Sequence, residues 1–218
     1  HSKRNTTHAM IGFFGGSFDP VHFGHLKSAS KLKEQLNLSD LFLMPCAEPV
    51  HKDGLTFSKN QRLKMLQLGV QEFNELSIDT REIERTGGSY TIDSLMEIKT
   101  EHPAIPVCLI VGMDGFINLH TWKDWQKFYH YVHLVVIARP DYHPDDNLTQ
   151  SFTQAQKMTD LYKQDSGLLY FADTGLLNIS SSDIRSILFN TTLSGKIVNK
   201  QSLSGLLPNS IINYIDQI

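Results

Sequence analysis

Gly12-Phe13-Phe14-Gly15-Gly16-Ser17-Phe18-Asp19-Pro20-Val21-His22-Phe23-Gly24-His25 is the stretch whose reading decides the fold. A short apolar segment, Met10 to Phe14, leads into it. Beyond it Leu26, Ala29, Leu32 and Leu36 recur at three- and four-residue spacing, which places them on one face of a helix. The pattern is therefore strand, glycine turn, helix N-terminus. Such a turn can bring backbone N–H groups and the positive end of a helix dipole to an anion. Two imidazoles stand three residues apart at its mouth. Neither GxGxxG nor the Lys-bearing phosphate loop is matched, because no Lys-Ser/Thr pair follows the glycines.

Working outward, Asp40 to Cys46 reads as a second strand and Ala47 to Thr56 as a loop. Ser58 can cap a helix whose apolar face is Leu63, Leu66 and Val70. Leu76 to Arg85 reads as a strand, Thr86-Gly87-Gly88 as a turn, and Ser89-Tyr90-Thr91 as the start of a helix through Lys99. Val107 to Val111 is continuously apolar, as a strand buried on both faces should be. His133 to Ala138 and Leu168 to Ala172 are further strands, with a helix expected over Gln150 to Lys163. Ser181 or Ser182 caps a helix carrying Ile184, Ile187 and Leu188, and Pro208 opens the last one. Strands alternating with helices specify a right-handed parallel α/β sheet. Ligands bind such sheets beyond the carboxyl ends of the strands. The informative loops are then Gly15 to His25, Ala47 to Lys52, Gly112 to Gly115, Arg139-Pro140 and Asn178 to Arg185.

Bulk properties narrow the classes. The 218 residues suit one domain with one substantial core, at 40% apolar and 20% charged residues. A net charge of −3 argues against broad nucleic-acid binding. No apolar run approaches the roughly 18 residues a membrane span needs. Cys46 and Cys108 lie in apolar runs and fit buried thiols of a reducing compartment. His1 to Ala9 is polar and reads as a disordered leader or tag remnant, leaving 10–218 as the single domain of a cytoplasmic protein.

Each polar motif has a plain reading beside a functional one. Gly15-Gly16 is a tight turn or a phosphate cradle. His22 and His25 fit a phosphate better than zinc, since a zinc site needs about four ligands and no Cys or Glu signature stands nearby. Ser180-Ser181-Ser182-Asp183-Ile184-Arg185 is a helix cap with a solvent-facing arginine, or a second anion site. His51-Lys52 is a surface pair or an anion contact. Asp114 caps a helix or accepts from ribose hydroxyls. Trp122 and Trp125 are core aromatics or ligand platforms.

Together these segments resemble a known family. Gly15 to His25 matches the GG(T/S)FDPxHxGH signature of the HxGH nucleotidyltransferases. Pro49-Val50-His51-Lys52, Ser89-Tyr90-Thr91, Val111-Gly112-Met113-Asp114, Thr121-Trp122 and Ile179 to Arg185 follow in the order of the bacterial nicotinate-nucleotide adenylyltransferases. Arg139-Pro140-Asp141-Tyr142 is similar to the family's Arg-Pro-Gly-Tyr, and the resemblance runs from about Met10 to the C-terminus. Departures are Val50 for the second proline of Pro-Pro-His, Asp141 for glycine, Ser17 for a common threonine, and Cys46-Ala47-Glu48 where amide side chains are usual.

The resemblance implies a Rossmann-like, doubly wound parallel sheet with helices on both faces. It implies adenylyl transfer from ATP to nicotinate mononucleotide, giving nicotinate adenine dinucleotide and pyrophosphate. It also implies catalytic roles for His22, His25 and Arg185. ATP contacts are implied at Gly15, Gly16, Ser17, Phe18, His22, His25, Gly112, Asp114, Arg139, Ile179, Ser181, Ser182 and Arg185. Mononucleotide contacts are implied at His51, Lys52, Ser89, Tyr90, Thr91, Trp122 and Lys123. Mg²⁺ is expected to arrive with ATP, held by phosphates and water. Another acceptor (nicotinamide mononucleotide, phosphopantetheine), a CTP-using relative and a non-catalytic nucleotide sensor are the competing readings. Oligomeric state stays open, a homo-oligomer included.

Overall fold

The structure is a computed structural model describing residues 9–47, 55–138, 151–175, 179–193, 196–197 and 200–218. Strand β1 (Ile11–Gly16) leads through the glycine turn to helix α1 (Phe23–Gln35), then β2 (Asp40–Pro45) and α2 (Lys59–Glu72). Next come β3 (Ser77–Ile78), α3 (Arg81–Glu84), α4 (Thr91–Glu101), β4 (Val107–Gly112) and α5 (Met113–Ile117). After β5 (His133–Ile137), β6 (Thr153–Gln154) and β7 (Leu168–Ala172), the chain ends in α6 (Ser181–Thr191) and α7 (Asn209–Gln217).

These seven strands form one sheet in the order β3-β2-β1-β4-β5-β7-β6, each pairing within it parallel, and a separate antiparallel pair joins Thr192–Leu193 to Lys196–Ile197. Because side chains alternate along a strand, each central strand feeds two cores. Ile11, Phe13, Leu109, Val111, Leu134 and Val136 pack with Ile92, Leu95 and Ile98 of α4 and Phe116 of α5. Phe14, Cys108, Ile110 and Val135 pack on the other face with α1, α2, α6 and α7. The chain works outward from β1 through β2 to β3, then crosses back to β4. That reversal opens a crevice at the carboxyl ends of β1 and β4, which are held in register with Phe14 opposite Ile110.

Several expectations are corrected. Leu76 to Arg85 is not one strand: only Ser77–Ile78 pairs, and Arg81–Glu84 turns helical. Asp79 accepts from the Arg81 N–H and guanidinium, folding the chain back on itself. Gln150 to Lys163 is not a helix; its described part is β6 and a 3-10 segment, Met158–Lys163. Helix α4 runs two residues past Lys99, to Glu101. The α2 face is rotated from Leu63, Leu66 and Val70 to Arg62, Met65, Leu66 and Gly69. The rotation follows from Arg62, whose polar end finds partners inside while Gly69 lets α2 approach Leu26 of α1. No helix among the described residues is long and apolar enough to cross a membrane.

Candidate active site

The turn after β1 is held by packing and by its own polar groups. Phe18 sits at φ +47, a left-handed conformation that costs about 1–3 kcal/mol for a residue with a side chain. Its ring is buried edge-on against Phe14 and His25, with centroids 5.6 and 4.9 Å apart. Next in line, Asp19 is buried, and its carboxylate accepts the backbone N–H groups of Phe57 at 2.9 Å and Thr56 at 3.0 Å.

His22 and His25 form a reciprocal cap at the start of α1. The His25 backbone N–H donates to His22 Nδ1 at 3.3 Å, and the His22 backbone N–H donates to His25 Nδ1 at 3.2 Å. The rings stack with centroids 3.6 Å apart. An Nδ1 that accepts carries no proton, so each neutral imidazole keeps its proton on Nε2 as a donor. Burial lowers the His22 pKa to about 4. Burial, and then the neighbouring His22, put His25 well below the usual imidazole range. The free site therefore presents neutral N–H donors. Gly24 makes the stack possible: a Cβ there would lie 2.7 Å from His22 Cε1 and 3.3 Å from Ile179 Cβ.

Helix α6 brings the second half of the site onto the same turn. Ser181 Oγ donates to the Pro20 carbonyl at 3.0 Å. Arg185 Nη1 donates to the Asp19 carbonyl at 2.8 Å and stands 3.7 Å from Asp19 Oδ2. The cap itself is one residue earlier than expected: Ser180 Oγ accepts the Asp183 N–H at 3.0 Å, freeing Ser181 to reach the turn. Ser182 is exposed.

At the end of β4, no atom of the described residues lies within 4 Å of where a Cβ on Gly112 would stand, which leaves room beside its backbone. Asp114 is exposed in the first turn of α5, and the N-cap there is Gly112, which removes the plain capping reading of Asp114. Tyr90 precedes α4 without a side-chain cap, and Lys123 Nζ lies 4.4 Å above its ring. Trp122 is half-buried, tilted against Phe128 at 6.2 Å. The Ser89-Tyr90-Thr91 segment is anchored by Arg85, which donates to Ser89 Oγ at 3.0 Å and the Tyr90 carbonyl at 3.4 Å. His51, Lys52 and Arg139 lie outside the described residues.

Three residues escaped the sequence reading. Asp19 joins the two halves of the site, although it stands inside the quoted signature. Arg85 fixes the α4 entry. Arg62 is wholly buried, donating at 2.8 Å to the Ser17 and Cys46 carbonyls and at 2.6 Å to that of Ala47. A charged residue at the helical spacing of Met65, Leu66 and Gly69 was the only available sign of Arg62.

Among the described residues no three His, Cys, Asp or Glu side chains converge as metal ligands do.

Residues 13–187 match the family model described as cytidylyltransferase-like. A protein of Vesicomyosocius okutanii named "Probable nicotinate-nucleotide adenylyltransferase" is 51% identical over 209 residues, covering 96% of this chain and 95% of its own. One of the same name from Psychromonas ingrahamii is 39% identical, covering 95% and 94%. The solved structure of Plasmodium falciparum nicotinic acid mononucleotide adenylyltransferase complexed with NaAD superposes with a TM-score of 0.73 over 96% of both chains. At 19% identity that is a likeness of fold.

Proposed function

The chain belongs to the cytidylyltransferase-like nucleotidyltransferases, within them to the nicotinate-nucleotide adenylyltransferases, and from that premise we propose how its own residues carry the reaction. The enzyme transfers the adenylyl group of ATP to nicotinate mononucleotide, forming nicotinate adenine dinucleotide and pyrophosphate in the making of NAD.

The acceptor is a phosphate monoester whose second pKa is about 6, so near pH 7 it attacks the α-phosphorus without a general base. The difficulty is charge: two anions meet and a third departs. Positioning and electrostatic stabilisation must do the work. The observation that carries the reading is the convergence of both donor sets on Asp19 and Pro20. The capped histidine pair follows that dipeptide, and Ser181 and Arg185 bind its carbonyls.

In this reading His22 and His25 donate from Nε2 to phosphoryl oxygens as negative charge builds. Bound phosphate raises both imidazole pKa values, since a nearby anion favours the protonated form. Arg185 forks onto the departing pyrophosphate, and Ser181 and Ser182 lie beside it at the start of α6. Main-chain N–H groups of Gly15 to Phe18 cradle the phosphates. Gly112 admits the adenosine, Asp114 takes its ribose, and Ile179 lines the nucleotide beside Gly24. Trp122 stacks on the pyridine ring while Tyr90, Thr91 and Lys123 face its carboxylate. His51 and Lys52 at the acceptor phosphate, and Arg139 at ATP, rest on the family motif alone. ATP-dependent adenylyl transfer generally uses Mg²⁺, which would supply charge neutralisation, carried with ATP on phosphate oxygens and water.

The test is a steady-state comparison of nicotinate mononucleotide, nicotinamide mononucleotide and phosphopantetheine with ATP, following pyrophosphate. Nicotinate mononucleotide is expected to lead in kcat/KM by about tenfold or more, because a site built for a carboxylate leaves its donors unpaired against an amide. Equal turnover of all three would sink the acceptor assignment.

A further inference from the structure

The geometry points to Arg62 as a positioning residue that sets two peptide groups, Ser17–Phe18 and Cys46–Ala47, with their N–H ends turned outward as phosphate donors. This rests on the adenylyl-transfer reading of the site. In a trans peptide the carbonyl and the N–H point in opposite directions. Arg62 draws the Ser17 and Cys46 carbonyls toward itself, each at 2.8 Å. The Phe18 and Ala47 N–H groups therefore point away from it, and neither has an acceptor among the described residues. These peptides lie just past the carboxyl ends of β1 and β2, with the Cys46 N–H donating to the Gly16 carbonyl at 2.9 Å. Two loops from adjacent strands thus offer one donor each on the ligand side of the sheet.

Packing alone does not call for arginine here. A guanidinium wholly removed from water is costly unless its donors are satisfied, and an apolar chain would fill the space at less cost. What arginine adds is a planar fork able to hold carbonyls from two loops at once. Without it those carbonyls are free to turn outward, and an oxygen facing a polyphosphate repels it. The buried charge also reaches the carboxyl end of β2. Burial pushes the Cys46 thiol up to about 11, and Arg62 pulls against that rise.

Arg62→Met and Arg62→Lys test the role. Three readouts apply: calorimetric ATP affinity without acceptor, kcat against pH with ATP and nicotinate mononucleotide, and thermal midpoint. Arg62→Met is expected to weaken ATP binding about tenfold and lower kcat about 100-fold in protein that remains folded. Arg62→Lys should restore much of kcat near neutral pH. It should also add an alkaline limb absent from the parent, because a buried ammonium loses its proton below the ordinary lysine range while arginine stays charged. A purely structural arginine would move the midpoint and add no such limb. Should Arg62→Met fail to fold, the limb in Arg62→Lys decides. Folded Arg62→Met with ATP affinity and kcat within about threefold of the parent overturns the inference, as does Arg62→Lys with the parental pH profile. A parent that binds ATP but releases no pyrophosphate would instead defeat the adenylyl-transfer reading, and ATP affinity would still decide Arg62.

Discussion

The donor role proposed for His22 and His25 rests on what their backbones do. Each Nδ1 is occupied by the other residue's N–H, so the tautomer is chosen before any substrate arrives. Protonating either Nδ1 would set two N–H groups against each other in a buried place. This makes the free protein acid-sensitive. His22 is depressed in the folded state by burial, so its contribution is fully present above the ordinary imidazole value of 6.5. It drains as pH falls from there to about 4, a loss of about 3 kcal/mol. His25 and His133, both also lowered by burial, act in the same direction. In His22→Ala the denaturant midpoint should fall less than the parent's between pH 7 and pH 5. Turnover should drop of order 10²-fold, as for removal of an oxyanion donor. Turnover within about threefold of the parent would remove His22 from the phosphate site.

Helix α1 sets local propensity against site geometry. Alanine is the better helix former by about 1 kcal/mol, and Gly24 lies inside the first turn. A methyl there would meet His22 Nδ1 at 2.8 Å, pushing the ring out of its stack. Gly24→Ala should therefore keep its helix content by circular dichroism while losing kcat by about tenfold or more, since small misplacements at a reacting centre are costly. Unchanged kcat would mean the His22 ring position does not matter. The same contest explains which elements were legible. The α1 face of Leu26, Ala29, Leu32 and Leu36 and the strand Leu168–Ala172 are apolar patterns with nothing competing, and both stand where expected. Helix α2 was misread by one position because its inward face carries an arginine, which apolar periodicity cannot count as buried. The expected strand Leu76 to Arg85 failed for a related reason, the Asp79–Arg81 contact overriding alternation.

Across the whole molecule, ligand binding should be felt as stability, because the site joins β1, the segment before α2, and α6 through Asp19. ATP at about one hundred times its Kd adds about 2.7 kcal/mol, raising Tm by about 5–10 °C in a chain of this size. Arg185→Ala should lose most of that rise, measured by thermal melting with and without ATP. A full rise in the variant would detach Arg185 from the nucleotide. By itself the sequence determined the parallel α/β architecture and the strand, glycine turn and helix start with its paired histidines, because apolar period, glycine placement and histidine spacing are local in the chain. The family signature added Ser181 and Arg185 as partners of that turn. Only the tertiary structure decided that Ser181 and Arg185 bind the carbonyls of Pro20 and Asp19, more than 160 residues away in sequence. It alone revealed Arg62 and Arg85 as anchors, because a charged side chain becomes a buried support only when distant carbonyls and hydroxyls close around it.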